Sequence, residues 1–317
     1  MSTASSDSKQ AAPANAAGRA LFWIKATRIE FITGSIVPVL VGGAVAWHLE
    51  GQLMWGYWIA TLLGVALLHS AANLANDYYD HLSGNDEANS EFIRPFTGGS
   101  RVIQKGTASA RSILIASLVC LVAGAAIGMV LVWFRGWPIL ALGVIGGLSG
   151  FFYTARPLQL GYRGLGELFI FLDFGLLPVI GTCYVQTGRF DPESAMASVP
   201  VGLLIAAVLW INQFADYEAD RAVDKRHWVV RLGRRRAAWV YAAMVVGALA
   251  AAPVGVVAGL MPAWTQLLLL LTPLAGFAIV TAVRHYDEPQ ALLPANISTI
   301  IMHSASGILI ALGFVLG

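Results

Sequence analysis

Two short segments hold most of the residues able to do chemistry. One is Asn73-Leu74-Ala75-Asn76-Asp77-Tyr78-Tyr79-Asp80, running on to Asp86; the other is Asn212-Gln213-Phe214-Ala215-Asp216, running on to Asp220 and Asp224. Each contains Asn-x-x-x-Asp, at 76/80 and again at 212/216. Helix positions three and four apart share a face, so Asn73, Asn76, Asp77 and Asp80 form one stripe and Asn212, Asp216 and Asp220 another. A stripe of acids at the C-terminal end of a helix is disfavoured by the dipole and by mutual repulsion, so something cationic must offset it. Carboxylate and amide oxygens are hard ligands that suit magnesium, which keeps several waters and takes one or two carboxylates plus phosphate oxygens. Two such stripes facing each other can hold two magnesium ions with a diphosphate between them. The competing reading, solvated acids paired with basic loops, suits a single Asp better than two helix-phased stripes.

Cationic groups flank both stripes. Arg94-Pro95-Phe96-Thr97-Gly98-Gly99-Ser100-Arg101, with Lys105 nearby, follows the first, and Lys225-Arg226-His227 follows the second. A Gly-Gly-Ser turn can point N–H groups at an anion, and Arg forks suit phosphate. Basic residues are also what the positive-inside rule demands of these loops, so both readings stand. Tyr153-Thr154-Ala155-Arg156-Pro157 sets a Tyr beside an Arg; the ring is either an interface anchor or a cavity wall that steadies a carbocation. Asp173 reads as a helix–helix hydrogen bond, His69 and His303 as satisfied core histidines, and Cys120 and Cys183 as small apolar residues.

The elements that position these residues follow from composition. Of 317 residues, 57% are hydrophobic and 12% charged, where a soluble protein has about 25% charged. That excludes a soluble enzyme, a disordered chain and a nucleic-acid binder. Nine apolar runs, at 29–47, 53–75, 112–134, 137–155, 165–187, 197–215, 237–260, 264–283 and 294–316, are long enough to cross a bilayer. The expected fold is an all-α integral membrane bundle of nine transmembrane helices. Residues 1–18, rich in Ser and Ala, read as a disordered tail and 19–317 as one polytopic domain. With the N-terminus cytoplasmic, all of the 20 basic residues except Arg135 and Arg189 fall on the cytoplasmic side. Both acidic stripes fall there too. Four helices separate them, so the halves look like a weak parallel repeat.

The Asn76-Asp77-Tyr78-Tyr79-Asp80 segment, the Arg94-Pro95 turn and Asp216-x-x-x-Asp220 followed by Lys225 resemble the two Asp-rich motifs of the UbiA superfamily of intramembrane aromatic prenyltransferases. Within it, Asn73-Leu74-Ala75-Asn76-Asp77-Tyr78, Gly164-Leu165-Gly166-Glu167-Leu168-Phe169, Gly181-Thr182-Cys183-Tyr184-Val185-Gln186-Thr187-Gly188 and Val230-Arg231-Leu232-Gly233 are similar to the 1,4-dihydroxy-2-naphthoate polyprenyltransferases of menaquinone synthesis. The resemblance implies a central cavity open to the cytoplasmic face of the inner membrane. It implies Asp77, Asp80, Asp216 and Asp220 as catalytic, Mg2+-binding residues. Asn73, Asn76, Arg94, Lys105, Tyr153, Arg156, Asn212 and Lys225 are the expected substrate-binding set. Many members carry another Asp four residues after Asp80; here that position is Gly84, and Asp86 is the offered substitute.

The implied reaction is transfer of a polyprenyl group from an allylic diphosphate to an aromatic acceptor, 1,4-dihydroxy-2-naphthoate first. 4-Hydroxybenzoate, homogentisate and a non-aromatic alcohol are alternative acceptors. The rival from another class is an ion-coupled transporter, whose acids belong near the bilayer midplane instead of at one face. A catalytically silent scaffold is disfavoured by the intact motifs.

Overall fold

The computed structural model describes residues 16–84 and 99–317, and the described residues form helices without a strand. Their order is α1 Ala16–Ala26, α2 Thr33–Glu50, α3 Trp55–Ser83, α4 Ala110–Arg135, α5 Trp137–Phe151, α6 Gly166–Thr187, α7 Pro192–Asn212, α8 Tyr217–Ala222, α9 Trp228–Leu232, α10 Arg234–Val257, α11 Ala263–Arg284 and α12 Pro289–Leu316. Seven of them (α3, α4, α6, α7, α10, α11 and α12) are long and apolar enough to cross a membrane. The 18-residue α2 and the 15-residue α5 occupy the other two expected runs. Large apolar side chains such as Trp133, Val122 and Val257 lie exposed on the outer surface, as a lipid-facing bundle requires. The chain is a multi-pass membrane protein.

Local chemistry sets the helix ends. Gly51, Gly84 and Gly188 close α2, α3 and α6 in the left-handed region, with φ of 69°, 76° and 76°, where a Cβ is costly. The absent acid at position 84 thus has a local cause, since Gly84 stops the helix that carries the first stripe. Pro138 and Pro192 open α5 and α7, where a missing N–H leaves no bond unmade.

Three boundaries correct the expectation. The second run was expected to end at 75, but α3 continues to Ser83, because Asn, Tyr and Asp at 76–80 are tolerated where the helix meets a polar cavity. The sixth run was expected to reach 215, but α7 stops at Asn212, and a turn leads to α8. Asn212, Asp216 and Asp220 therefore do not share one continuous helix. Of the expected 1–18 tail, only 16–18 fall among the described residues, and they open α1. Within α6, Leu172–Leu176 is a π-helical turn, and Ser149 Oγ on α5 donates to both oxygens of Asp173 at 2.8 and 2.7 Å. That is the helix–helix bond expected of this acid.

Candidate active site

The ends of α3 and α7 face one cavity of about 1030 Å³ including its mouth, lined by Asn73, Asn76, Asp80, Asn212, Asp216, Asp220 and Lys225 together with Tyr153, His69 and Arg28. On α3 the helix brings Asn76 one turn below Asp80, and Asn76 Nδ2 donates to Asp80 Oδ2 at 3.0 Å. Tyr162 OH donates to the other oxygen at 3.1 Å. The carboxylate thus keeps two neutral donors and, among the described residues, no ion pair.

Asp220, 1% exposed, is held differently. Lys225 Nζ lies 3.3 Å from Oδ1 and His227 Nε2 2.9 Å from Oδ2. Burial opposes the charge on Lys225, yet the carboxylates of Asp220 and Asp80 outweigh it and hold the ammonium well above the ordinary lysine range. The ammonium also sits 5.5 Å from the centre of the Tyr162 ring. Burial first, then the Asp80 carboxylate, raises the Tyr162 phenol, so it remains a proton donor at neutral pH. A single path, Asp80 to Tyr162 to Lys225 to Asp220, joins the two motifs across the cavity.

Loops outside the motifs fix this path. Glu167, buried at the start of α6, accepts from Gln213 Nε2 at 3.3 Å and from Trp228 N at 3.1 Å, pinning the turn after α7 and the start of α9. Arg231 reaches Arg226 O at 2.6 Å and Arg163 O at 2.7 Å, and Arg226 N donates to Tyr162 O at 2.9 Å. The Gly164–Phe169 and Val230–Gly233 segments are therefore the struts of the second motif. Tyr153 fits between Gly161 and Gly166: an added Cβ would lie 2.8 Å from its ring at 161 and 2.9 Å from its hydroxyl at 166. Of the two readings of Tyr153, the cavity wall is the one observed. Burial, then Glu167, keeps its phenol neutral.

The other expected positions divide. Asn73 lines the cavity while its Nδ2 donates to Thr27 O at 3.0 Å, and Asn212 Oδ1 accepts from Asn296 Nδ2 at 2.6 Å. Asp77 is buried away from the lining; the N–H of Ser100 reaches its oxygens at 3.2 and 3.3 Å. The anion met by that N–H is thus Asp77 itself. Lys105 and Arg156 are exposed and do not line the cavity. Arg94 and Asp86 lie outside the described residues. His69 is buried and hydrogen-bonded, Nδ1 to Ser35 Oγ at 2.8 Å, as expected of a core histidine, and its ring also borders the cavity.

Tyr162, Glu167 and Arg28 were not singled out in the sequence. Glu167 carried a signal in being, with Asp173, one of two acids inside an apolar run, whereas Tyr162 and Arg28 act through loops whose course the sequence does not display.

A second cavity, about 930 Å³ including its mouth and almost wholly apolar, lies between α3, α4, α5 and α6, and shares His69 and Phe174 with the first. Gly64, Gly124, Gly128, Gly143 and Gly146 lie on its wall.

An acid-ringed cavity continued by an apolar one inside a helical bundle defines an intramembrane enzyme for a substrate with a charged head and a greasy tail. Residues 35–301 match the UbiA prenyltransferase family, and the chain belongs to it. It is 34% identical over 261 residues to the 1,4-dihydroxy-2-naphthoate octaprenyltransferase of Mycobacterium tuberculosis, covering 82% of each chain. It is 28% identical over 309 residues to the 2-carboxy-1,4-naphthoquinone phytyltransferase of a Synechocystis species, covering 97% of each. A UbiA homologue from Archaeoglobus fulgidus, solved with GPP and Mg2+, shares the fold with a TM-score of 0.60 at 14% identity, over 91% of this chain and 99% of that one.

Proposed function

We propose that this prenyltransferase joins the polyprenyl group of an allylic diphosphate to 1,4-dihydroxy-2-naphthoate, giving demethylmenaquinol, the reduced form of demethylmenaquinone. The observation that carries the reading is the path from Asp80 through Tyr162 and Lys225 to Asp220, which sets acids of both motifs and a buried ammonium around one cavity. The donor set fits magnesium: Asp80, Asp216 and Asp220 are hard oxygen ligands with Asn76 and Asn212 amide groups beside them. Among the described residues no three His, Cys, Asp or Glu side chains enclose an ion unaided, which suits a metal completed by substrate phosphates. Bound there, magnesium supplies Lewis-acid stabilisation of the diphosphate. Asp77 supports the site by fixing the loop at Ser100.

Lys225 neutralises charge growing on the diphosphate as the allylic C–O bond breaks, which is stabilisation aimed at developing charge. Tyr153, Phe31 and Phe174 line the cavity, and aromatic rings on its wall steady an allylic cation. The electron-rich acceptor carbon bonds to it, and the carboxyl group leaves as carbon dioxide, its electron pair returning to the ring. The apolar cavity takes the tail and keeps water from the cation.

We also propose that 19–317 is one domain with nine crossings, the N-terminus and the site facing the cytoplasm. Arg135 and Arg189, at the far end, support this: Arg189 is tied to Glu50 at 2.7 Å and to Asp191 at 2.8 Å, and Arg135 stacks 4.4 Å from Tyr57. The other basic residues fall in segments assigned to the site end.

The test is a membrane assay pairing a long prenyl diphosphate with each acceptor. Prenylation of the naphthoate, stopped by EDTA and restored by magnesium, is expected. Preference for another acceptor overturns the acceptor assignment, and turnover in metal-free buffer overturns the metal.

A further inference from the structure

The start of α10 carries charge that the active site does not use. Arg234, Arg235 and Arg236 occupy its first three positions, Gly233 before them offers no side-chain cap, and the first turn holds no acid. Cations are disfavoured there, because the N-terminal end of a helix is already positive. Arg231, in the last turn of α9, adds a fourth guanidinium. Among the described residues none of the four has a carboxylate partner, whereas nearby Arg226 has Asp224 at 2.6 Å. Basic residues in a loop satisfy the topological rule for a membrane protein. Arg221, Lys225 and Arg226 already do so here, and the rule does not ask for three arginines in the first turn of a spanning helix.

The four divide by direction. Arg231 turns its fork onto Arg226 O and Arg163 O, 5.5 Å from the centre of the Trp228 ring. Arg234 donates to Phe214 O at 3.1 Å and lies 4.7 Å from the centre of the Tyr217 ring. Carbonyls and rings orient these two without cancelling their charge. Arg235 and Arg236 are exposed, and their guanidinium groups make no hydrogen bond to a described residue. Because Phe214 is two residues before Asp216, this end of α10 lies at the face of the bundle where the active site opens.

Below Arg235 the surface turns apolar along one line. Trp239, Ala243, Val246, Ala250 and Val254 follow at steps of four and three, and each is exposed, while Tyr241, Val245 and Ala248 pack inward. Such steps keep to one face of a helix. A single stripe therefore runs from two outward guanidinium groups, past an indole one turn down, to side chains that face acyl chains.

We infer that this stripe binds an anionic phospholipid of the leaflet at the active-site end. Its phosphate meets Arg235 and Arg236, its glycerol lies beside the Trp239 indole, and an acyl chain follows Val246 and Val254. Arginine forks suit phosphate oxygens, and a headgroup without net charge leaves the excess of positive charge standing. A soluble phosphate matches the arginines but leaves the indole and the apolar stripe unused.

The experiment reconstitutes the full chain in phosphatidylcholine vesicles doped with brominated phosphatidylglycerol, or with brominated phosphatidylcholine as the control, and reads tryptophan quenching. The quenching lost on adding Trp239→Phe, measured in each background, isolates this position. There phosphatidylglycerol should be preferred by about 10- to 30-fold, since one arginine near an anionic surface is worth about fivefold in occupancy. In R235Q/R236Q the preference should fall towards one. The equal-charge control R111Q/R284Q, on exposed arginines of α4 and α11, should keep it. Equal quenching by the two lipids in the unmodified protein overturns the inference and needs no arginine variant. A preference that survives R235Q/R236Q overturns it too, as does one that falls as far in R111Q/R284Q, the mark of diffuse surface charge. Loss of the quenching on adding millimolar inorganic phosphate would assign the arginines to a soluble anion and overturn the lipid as occupant.

Discussion

Asp80 and Asp220 face each other across one cavity from related sequence motifs, and their surroundings are opposite in kind. Asp80 rides an unbroken helix and meets only neutral donors, Asn76 and Tyr162. Asp220 follows a broken helix and is gripped by Lys225 and His227. A carboxylate hydrogen-bonded only by neutral groups, with the Lys225 ammonium acting on it through space, stays open to an incoming cation. One already paired with an ammonium holds that ammonium ready for an incoming anion. Under the proposed function this contrast divides the labour: the first motif attracts metal, and the second presents a positive charge to the leaving diphosphate while contributing acids of its own.

Substitutions can break or sharpen this contrast. The largest effect is expected from Asp80→Asn and Asp216→Asn, each lowering prenyl transfer by about 10³-fold with the protein still inserted in membranes. A loss confined to one of them, read as kcat/KM across a magnesium titration, would show that a single motif carries the metal. Lys225→Met should cost about 10²-fold in kcat, with the magnesium dependence of the residual activity little changed. If the magnesium requirement shifted as it does in Asp80→Asn, the division of labour would be wrong. Tyr162→Phe keeps the ring under Lys225 and deletes the link to Asp80, so about a 10-fold loss is expected, seen most clearly at low magnesium. The smallest change should come from Glu167→Gln, where weakened bonds to Trp228 N and Gln213 lower stability by about 1–2 kcal/mol, measured as a reduced Tm in detergent.

The sequence made the bundle legible because apolar runs are long and lipid permits few alternatives to helices. Both acidic motifs were legible for a related reason: acids at the end of an apolar run are conspicuous. The course of the chain between runs was not. That Asn212 ends a helix, so that Asp216 and Asp220 reach the cavity through a turn and a short helix, depends on Glu167 pinning Gln213 from 46 residues away. Tyr162 belongs to a loop with no periodicity, and its proximity to Asp80 arises only when Arg231 and Arg226 fasten that loop. Lys105 and Arg156 looked equal to Lys225 in the sequence, since basic residues at one membrane face all obey the same topological rule. Only burial beside Asp220 separates the one that serves the cavity.

The apolar cavity has a wall whose bore is set by missing side chains. A Cβ at Gly128 or Gly143 would meet nothing within 4 Å, so at these two points of the wall a side chain would project into open space. If the tail lies there, the protein carries a ruler with two adjustable stops. A bulky residue at either position would shorten the longest chain accepted, leaving the reacting end untouched. Product length and bond-forming chemistry would then be separately mutable properties of one active site.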